Sequence, residues 1–547
     1  MDDMSDAPTP GMPVSYVDAD APASATLSTD ARPGVQPVAV GTGPLTIDEV
    51  VRVARAGAPV VIADESLVEV RRTREVIRGL ADDTEPHYGV STGFGALATR
   101  HIPVEKRHAL QRSLIRSHAA GSGPEVEREV VRALMLLRIS TLATGRTGIR
   151  EETLTTYVAM LNAGIAPVVH EYGSLGCSGD LAPLSHCALA LMGEGVVRDD
   201  NGDRMPAAEA LAAAGIAPVE LEEKEGLALI NGTDGMLGML CLAIADLREL
   251  LVVADVAAAM SVEGLLGTDD VFAADLHDLR PQPGQAVSAG NIRKLMAHSA
   301  IRESHRTETC TRVQDAYSLR CAPVVAGATR DTVDHAARVA GWELASAVDN
   351  PVVTLDGRVE SNGNFHGAPV AYVLDFLAIV AADVASISER RTDRFLDVAR
   401  SNGLPPFLAD DPGVDSGHMI AQYTSAAIVS ELKRLAVPAS VDSIPSSAMQ
   451  EDHVSMGWSG ARKLRRAVDG LSRVLAVEVL TAASGIQLRA PLTPAPATAA
   501  VVAALLDAGA GRPGGDRWLS PEIETAHRLV TDGTVRHAAE SETGPLA

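Results

Sequence analysis

Gly173-Ser174-Leu175-Gly176-Cys177-Ser178-Gly179-Asp180 gathers small residues around one hydroxyl, and a glycine follows that hydroxyl directly. Asp180 is placed to cap the next helix, with Pro183 in its first turn, where a missing N–H costs little. A serine in such a bend can serve as a nucleophile, as part of an anion-binding loop, or as raw material for backbone chemistry. Other short polar segments punctuate the chain at 87–95, 231–235, 312–320, 361–367 and 449–456. Any one of them reads as caps and turns; together they point to a shared site.

The elements that must position these segments are helical. Aromatics make up 3% of 547 residues and mean hydropathy is +0.10, which suits helices that bury much of their surface against one another. Apolar spacing of three and four predicts helices over 104–119, 125–144, 150–163, 181–193, 236–266, 425–436 and 459–485. Leu374–Arg391 is apolar nearly all round and belongs at the centre of a bundle. Strand signals are few, so the fold class is all-α, a long-helix bundle behind an N-terminal domain that carries the Cys177-Ser178-Gly179 bend. The organisation expected is a disordered extension over 1–43, that N-terminal domain over 44–235, a central helical bundle over 236–500 and a peripheral segment over 501–547. Residues 196–225 read as a peripheral excursion.

Composition excludes several functions. With 47 basic against 71 acidic side chains, a net charge of −24 and no basic run, nucleic acid and anionic membrane are poor partners. No apolar run of about 18 residues lacks charge, no signal peptide is evident, and the five cysteines form no CxxC pair. A cytoplasmic protein with reduced thiols is expected. His305, His335, His366 and His453 are scattered with no HExxH, so no metal is expected. Gly176-Cys177-Ser178-Gly179 is one residue short of a GxSxG elbow and lacks the preceding strand. The loop after Tyr88 lacks the Lys-Ser/Thr ending of a phosphate cradle.

Gly173–Asp180 with Leu181-Ala182-Pro183-Leu184-Ser185-His186 resembles the signature of the aromatic amino acid ammonia-lyase and aminomutase family. The segments Tyr88–Gly95, Asn231-Gly232-Thr233, Val313–Arg320, Asn362–His366 and Gln450–Met456 match that family too, in its order, over about 44–500. The resemblance implies that Cys177, Ser178 and Gly179 cyclise to 4-methylidene-imidazol-5-one, with no external cofactor. The Gly179 nitrogen would attack the Cys177 carbonyl carbon, and dehydration of Ser178 would leave an exocyclic methylene. Cys177 departs from the family's usual alanine. The resemblance also implies Tyr88 as the base that removes a β-proton, and Arg320 as the clamp on the substrate carboxylate. It sets Asn231 and Tyr317 at the amine and the ring, with Gln314 and Phe365 lining the pocket. Asn350 and Asn364 read as turn residues.

Two positions bear on the substrate. Ser117-His118 and Glu451 resemble the histidine-specific members, and a histidine with a carboxylate suits an imidazole better than a phenyl ring, which would leave polar groups unpaired. His453 is expected behind Glu451. The resemblance thus implies non-oxidative deamination of L-histidine to trans-urocanate and ammonia. The tyrosine, phenylalanine and aminomutase activities of the family stand as alternatives, and a non-enzymatic helical scaffold as the alternative of a different class. It further implies a homotetramer with active sites shared between subunits.

Overall fold

Four long helices, Asp234–Gly264, Ala322–Leu344, Ala368–Leu396 and Gly457–Gln487, pack side by side and supply the centre of the molecule. The computed structural model describes residues 35–81, 87, 89–93, 95–97, 100–306 and 313–547. The Asp234 helix is apolar on nearly every face, and Met236 through Ile244 are all buried, so its pattern carries no solvent stripe. The Ala368 helix is long and apolar enough to cross a membrane, but much of its apolar surface lies against the Asp234, Ala322 and Gly457 helices instead. Ion pairs cross this interior, and the most deeply buried joins the Ala368 and Gly457 helices. Arg391 donates to both oxygens of Glu478 at 2.5 and 2.8 Å, and Ser261 and Ser388 donate to the same carboxylate. Such a pair adds little net stability, yet breaking one side of it leaves a buried charge.

The helices between residues 100 and 195 fall where periodicity puts them: Arg107–His118, Arg128–Ala143, Glu151–Asn162 and Leu181–Leu191. Arg128–Ala143 packs against the Asp234 helix and joins the two regions into one continuous core. The 196–225 excursion is a hairpin, Val196–Arg198 with Arg204–Pro206, followed by the helix Ala207–Ala213.

Two stretches differ from the expectation. Residues 1–34 lie outside the described residues, but Val38–Val40 forms a parallel strand with Val60–Ile62 and buries Val38 and Val40, so the extension expected through residue 43 ends earlier. The segment after 500 is no loose periphery. Pro496–Asp507, Ser520–Thr531 and Thr534–Thr543 are helices whose Val501, Leu505, Ala526, Val530 and Val535 are buried in the main core. Proline and glycine punctuation between them breaks the periodic window that would have revealed them.

Candidate active site

The bend that carries Cys177-Ser178-Gly179 is held from three directions. Gly176 has φ +66° and Gly179 φ +77°, the left-handed region that glycine enters without strain. The Ser455 hydroxyl donates to the Gly176 carbonyl at 2.7 Å, and the Gly367 amide donates to the same oxygen at 3.2 Å. The Met456 amide donates to the Leu175 carbonyl at 2.9 Å. On the far side the Asp180 amide donates to the Gly232 carbonyl at 2.7 Å. A Cβ on Gly179 would stand 2.6 Å from the Gly232 nitrogen and closer still to its carbonyl, so the position admits no side chain.

Asp180 does not cap its own helix with its side chain, contrary to expectation. Its Oδ2 accepts from the Gly235 and Met236 amides at 2.9 Å each, at the start of the Asp234 helix, and Oδ1 accepts from the Ser174 hydroxyl at 2.8 Å. The neighbouring helix N-terminus offers unpaired N–H groups and a favourable dipole, and it lies beside the bend. Complete burial, with Asp234 close by, pushes this carboxyl up to about 7.

Asn231 is held at both ends. Its carbonyl accepts from Arg138 Nη1 at 2.9 Å, and its side-chain nitrogen donates to the Asn350 carbonyl at 3.0 Å. Its Oδ1 is buried and takes no hydrogen bond among the described residues, which leaves an acceptor free at the site. Asn350 also binds the 361–367 loop, because its Oδ1 accepts from the Asn362 amide and the Ser361 hydroxyl at 3.0 Å. Beneath them Lys224 and Asp349 form an ion pair at 2.5 Å with both side chains fully buried. Desolvation holds the Lys224 ammonium below its ordinary value despite that partner. Neither Arg138 nor the Lys224–Asp349 pair was among the sequence candidates. The one available signal for Arg138 was a charge inside an otherwise apolar helix.

Glu451 closes the bend from the solvent side. Its Oε1 accepts from the Ser178 hydroxyl at 2.9 Å, and its Oε2 accepts from the Cys177 thiol at 3.1 Å and the Ser446 hydroxyl at 2.9 Å. Burial and the Glu451 carboxylate push the thiol up to about 12, so it stays protonated. His118 lies within electrostatic reach of Glu451. Desolvation pulls it below 6.5, leaving it neutral at pH 7. Its Nδ1 is 2.9 Å from the Leu114 carbonyl, which can only accept, so Nδ1 carries the proton and Nε2 is a bare acceptor. Phe365 is half-buried two residues before Gly367, on the loop bonded to the bend. His366 and His453 stack with ring centroids 5.4 Å apart beside that loop.

Gln314, Tyr317 and Arg320 lie elsewhere in the same chain. Arg320 covers the Tyr317 ring at 4.7 Å, and Tyr317 is 71% exposed. The Thr268 amide, just beyond the C-terminus of the Asp234 helix, donates to Asp315, and Arg391 donates to the Ser318 carbonyl. The bend sits at the N-termini of the Asp234 and Ala368 helices. At 1.5 Å per residue, Gly367 to Arg391 spans about 36 Å of helix. Within one chain this segment and the bend therefore occupy opposite ends of the bundle. Tyr88 lies outside the described residues, whereas the adjoining Gly89 packs close to Leu227 and Pro351.

The model of one protein family, aromatic amino acid lyase, matches residues 45–507. The chain belongs to this family. Among relatives of this aromatic amino acid lyase, histidine ammonia-lyase of Streptomyces griseus is 66% identical over 93% of this chain and 99% of its own length. Histidine ammonia-lyase of Gloeobacter violaceus is 48% identical over 92% and 97%. The solved histidine ammonia-lyase of Trypanosoma cruzi superposes with a TM-score of 0.85 at 37% identity, covering 93% of this chain and 96% of that one. A tyrosine aminomutase from Streptomyces globisporus superposes with a TM-score of 0.88, also at 37% identity, covering 93% and 100%.

Proposed function

We propose that the protein is a cytoplasmic histidine ammonia-lyase that converts L-histidine to trans-urocanate and ammonia. The observation that carries the substrate is the pairing of two acceptors, His118 Nε2 and the Glu451 carboxylate, beside the Ser178 hydroxyl. An imidazole N–H can satisfy His118 Nε2 next to the Glu451 charge; a phenyl ring leaves that nitrogen unpaired. The high identity to proteins named histidine ammonia-lyase supports the same reading. Cys177, Cys187, Cys241 and Cys321 are free thiols, in keeping with a reducing compartment.

The bend fits a group formed from Cys177, Ser178 and Gly179. Gly179 is already in a left-handed conformation with no room for a side chain, its neighbours are small, and straps from 367, 455–456 and 232 fix its ends. The 4-methylidene-imidazol-5-one so made would supply an electrophile that turns the α-amine into a better leaving group. The chain's own groups do the rest. Asn231 Oδ1 is free to accept from the substrate ammonium, and His118 and Glu451 orient its ring. Tyr88 takes the β-proton, and Arg320 offers two parallel N–H groups to the carboxylate.

Opposite ends of one chain cannot supply Ser178 and Arg320 to the same substrate. A homotetramer in which the 313–320 segment of one subunit completes the pocket of another resolves this. Exposed Tyr372, Phe376 and Ile379 on the central Ala368 helix offer an apolar face for such contacts. Incubating the pure protein with histidine, tyrosine and phenylalanine separately, with absorbance of the conjugated acid as readout, tests the substrate. Activity on histidine that disappears in Ser178→Ala is expected. Activity on tyrosine without histidine would overturn the assignment, and a β-amino acid product would favour the aminomutase.

A further inference from the structure

His186 lies on the helix Leu181–Leu191, which starts two residues after Gly179, and nothing in the proposed reaction uses it. Its Nε2 accepts from the Gly121 amide at 3.1 Å, so that nitrogen is unprotonated. Gly121 stands three residues beyond His118, the last residue of the helix Arg107–His118. Between them the Ala119 and Ala120 amides bond back to Ile115 and His118, within their own segment. Among the described residues, the first hydrogen bond after His118 that reaches another element is therefore the one to His186. A second histidine holds the other end of this turn. His170 Nδ1 is 2.9 Å from the Gly123 carbonyl, which can only accept, so His170 donates there. Its ring meets that of His186 edge to face, with centroids 5.5 Å apart. A Cβ on Gly121 would stand 3.0 Å from His186 Nε2 and 3.3 Å from the Tyr172 carbonyl oxygen, so the close approach depends on glycine. Burial and the neighbouring His170 pull His186 down to about 4, which keeps Nε2 an acceptor at neutral pH.

We propose that His186 is a positioning residue that sets His118 against the Cys177-Ser178-Gly179 bend, and through it the preference for a substrate ring bearing an N–H. This rests on the reading that His118 Nε2 accepts from the ring of L-histidine. His118 ends its helix, where the last turn frays most readily. Its Nδ1 is tied to the Leu114 carbonyl of that same helix, which fixes the ring to the helix but not the helix to the bend. The helices Arg107–His118 and Leu181–Leu191 pack against each other, and apolar packing alone is non-directional. A hydrogen bond has a preferred distance and angle, so the Gly121 contact fixes the end of one helix against the other. The Leu181–Leu191 helix is also the one that continues from the bend. His186 thus links the residue that reads the substrate ring to the element that carries the reacting group. It acts through His118, not on the substrate.

Full-length His186→Leu and His186→Gln chains, assayed on L-histidine by urocanate absorbance, test this. His186→Leu should raise KM roughly 5-fold, about the worth of one hydrogen bond, and change kcat less. His186→Gln, whose amide oxygen can accept from Gly121, should recover most of that loss. Gly121→Ala pushes the same contact apart while His186 stays in place, and it should raise KM likewise. In a His118→Leu chain, adding His186→Leu should cost nothing further in kcat/KM, because the group it positions is gone. A general weakening of the fold would lower both backgrounds equally. The near-UV absorbance of the finished group should be the same in every variant; its absence from His186→Leu would show His186 acting on the bend itself and overturn the proposal. So would a KM within twofold of the wild type in His186→Leu, a glutamine as poor as leucine, or an equal loss with and without His118. A wild type inactive on histidine would remove the substrate reading itself, and the proposal with it.

Discussion

Replacing His118 by leucine removes one of the two ring acceptors and leaves the rest of the site in place. His118 Nδ1 is committed to the Leu114 carbonyl at 2.9 Å, and Nε2 has no partner among the described residues. The substrate N–H that met Nε2 would face an alkyl group. An unmade hydrogen bond of this kind costs about 1–3 kcal/mol, and each 1.4 kcal/mol is a factor of ten. His118→Leu should therefore lower kcat/KM for histidine roughly 5- to 150-fold. His118→Gln, whose amide oxygen can still accept, should recover part of the loss. Urocanate absorbance gives the rates, and the near-UV signal of the finished group checks that the bend has matured. The pH dependence supplies a second readout. Burial pulls His118 below 6.5, so its protonation, which converts Nε2 from acceptor to donor, weakens binding only as pH falls below 6.5. An acid-side loss below that point that is present in the wild type and absent in His118→Gln is expected. Unchanged kcat/KM in His118→Leu, within twofold, would refute contact between His118 and the ring.

Lys224→Met should strand the Asp349 charge, since both side chains are fully buried, at a cost of about 3–5 kcal/mol. The urea midpoint followed by circular dichroism should fall accordingly, and Lys224→Met with Asp349→Leu should recover much of it; a single variant as stable as the wild type would remove the pair as a scaffold for Asn350 and Asn231. Subunit sharing has its own check. Ser178→Ala and Arg320→Ala chains, each inactive alone, should regain histidine activity when unfolded together and reassembled, whereas pockets built within one chain would stay inactive.

The long helices were legible because their apolar residues recur every three and four positions, and tertiary packing preserved that pattern. The polar segments were legible as a set, by order and spacing. Their distribution in space was not. Nothing local to Val313–Arg320 reveals that it follows the far end of the Asp234 helix while Cys177-Ser178-Gly179 lies at the near end. The supports were equally hidden. Asn350 reads as a turn residue, yet it ties Asn231 to the 361–367 loop through contacts more than 100 residues apart on one side. Asp180 follows the rule for an N-cap by position, and its side chain serves a different helix. A three-residue strand such as Val38–Val40 is too short for alternation to show.

Backbone strain shows how Glu451 is held. Ser447, Ala448 and Met449 have φ of 51°, 52° and 70°, three consecutive side-chain-bearing residues in the left-handed region. Each such residue costs roughly 1–2 kcal/mol. No glycine relieves the run, so the surrounding structure must over-determine it. It does so at both ends: the Ser446 amide donates to the Glu451 carbonyl at 2.9 Å, and the Val454 amide donates to the Ser443 hydroxyl oxygen at 3.0 Å. The turn brings the Ser446 hydroxyl onto Glu451 Oε2 and directs Oε1 at Ser178. A relaxed connection could satisfy the backbone equally well without aiming the carboxyl. The strain is thus located where one side chain has to be pointed at one hydroxyl, and substitutions that relax the turn should loosen that aim before they unfold the bundle.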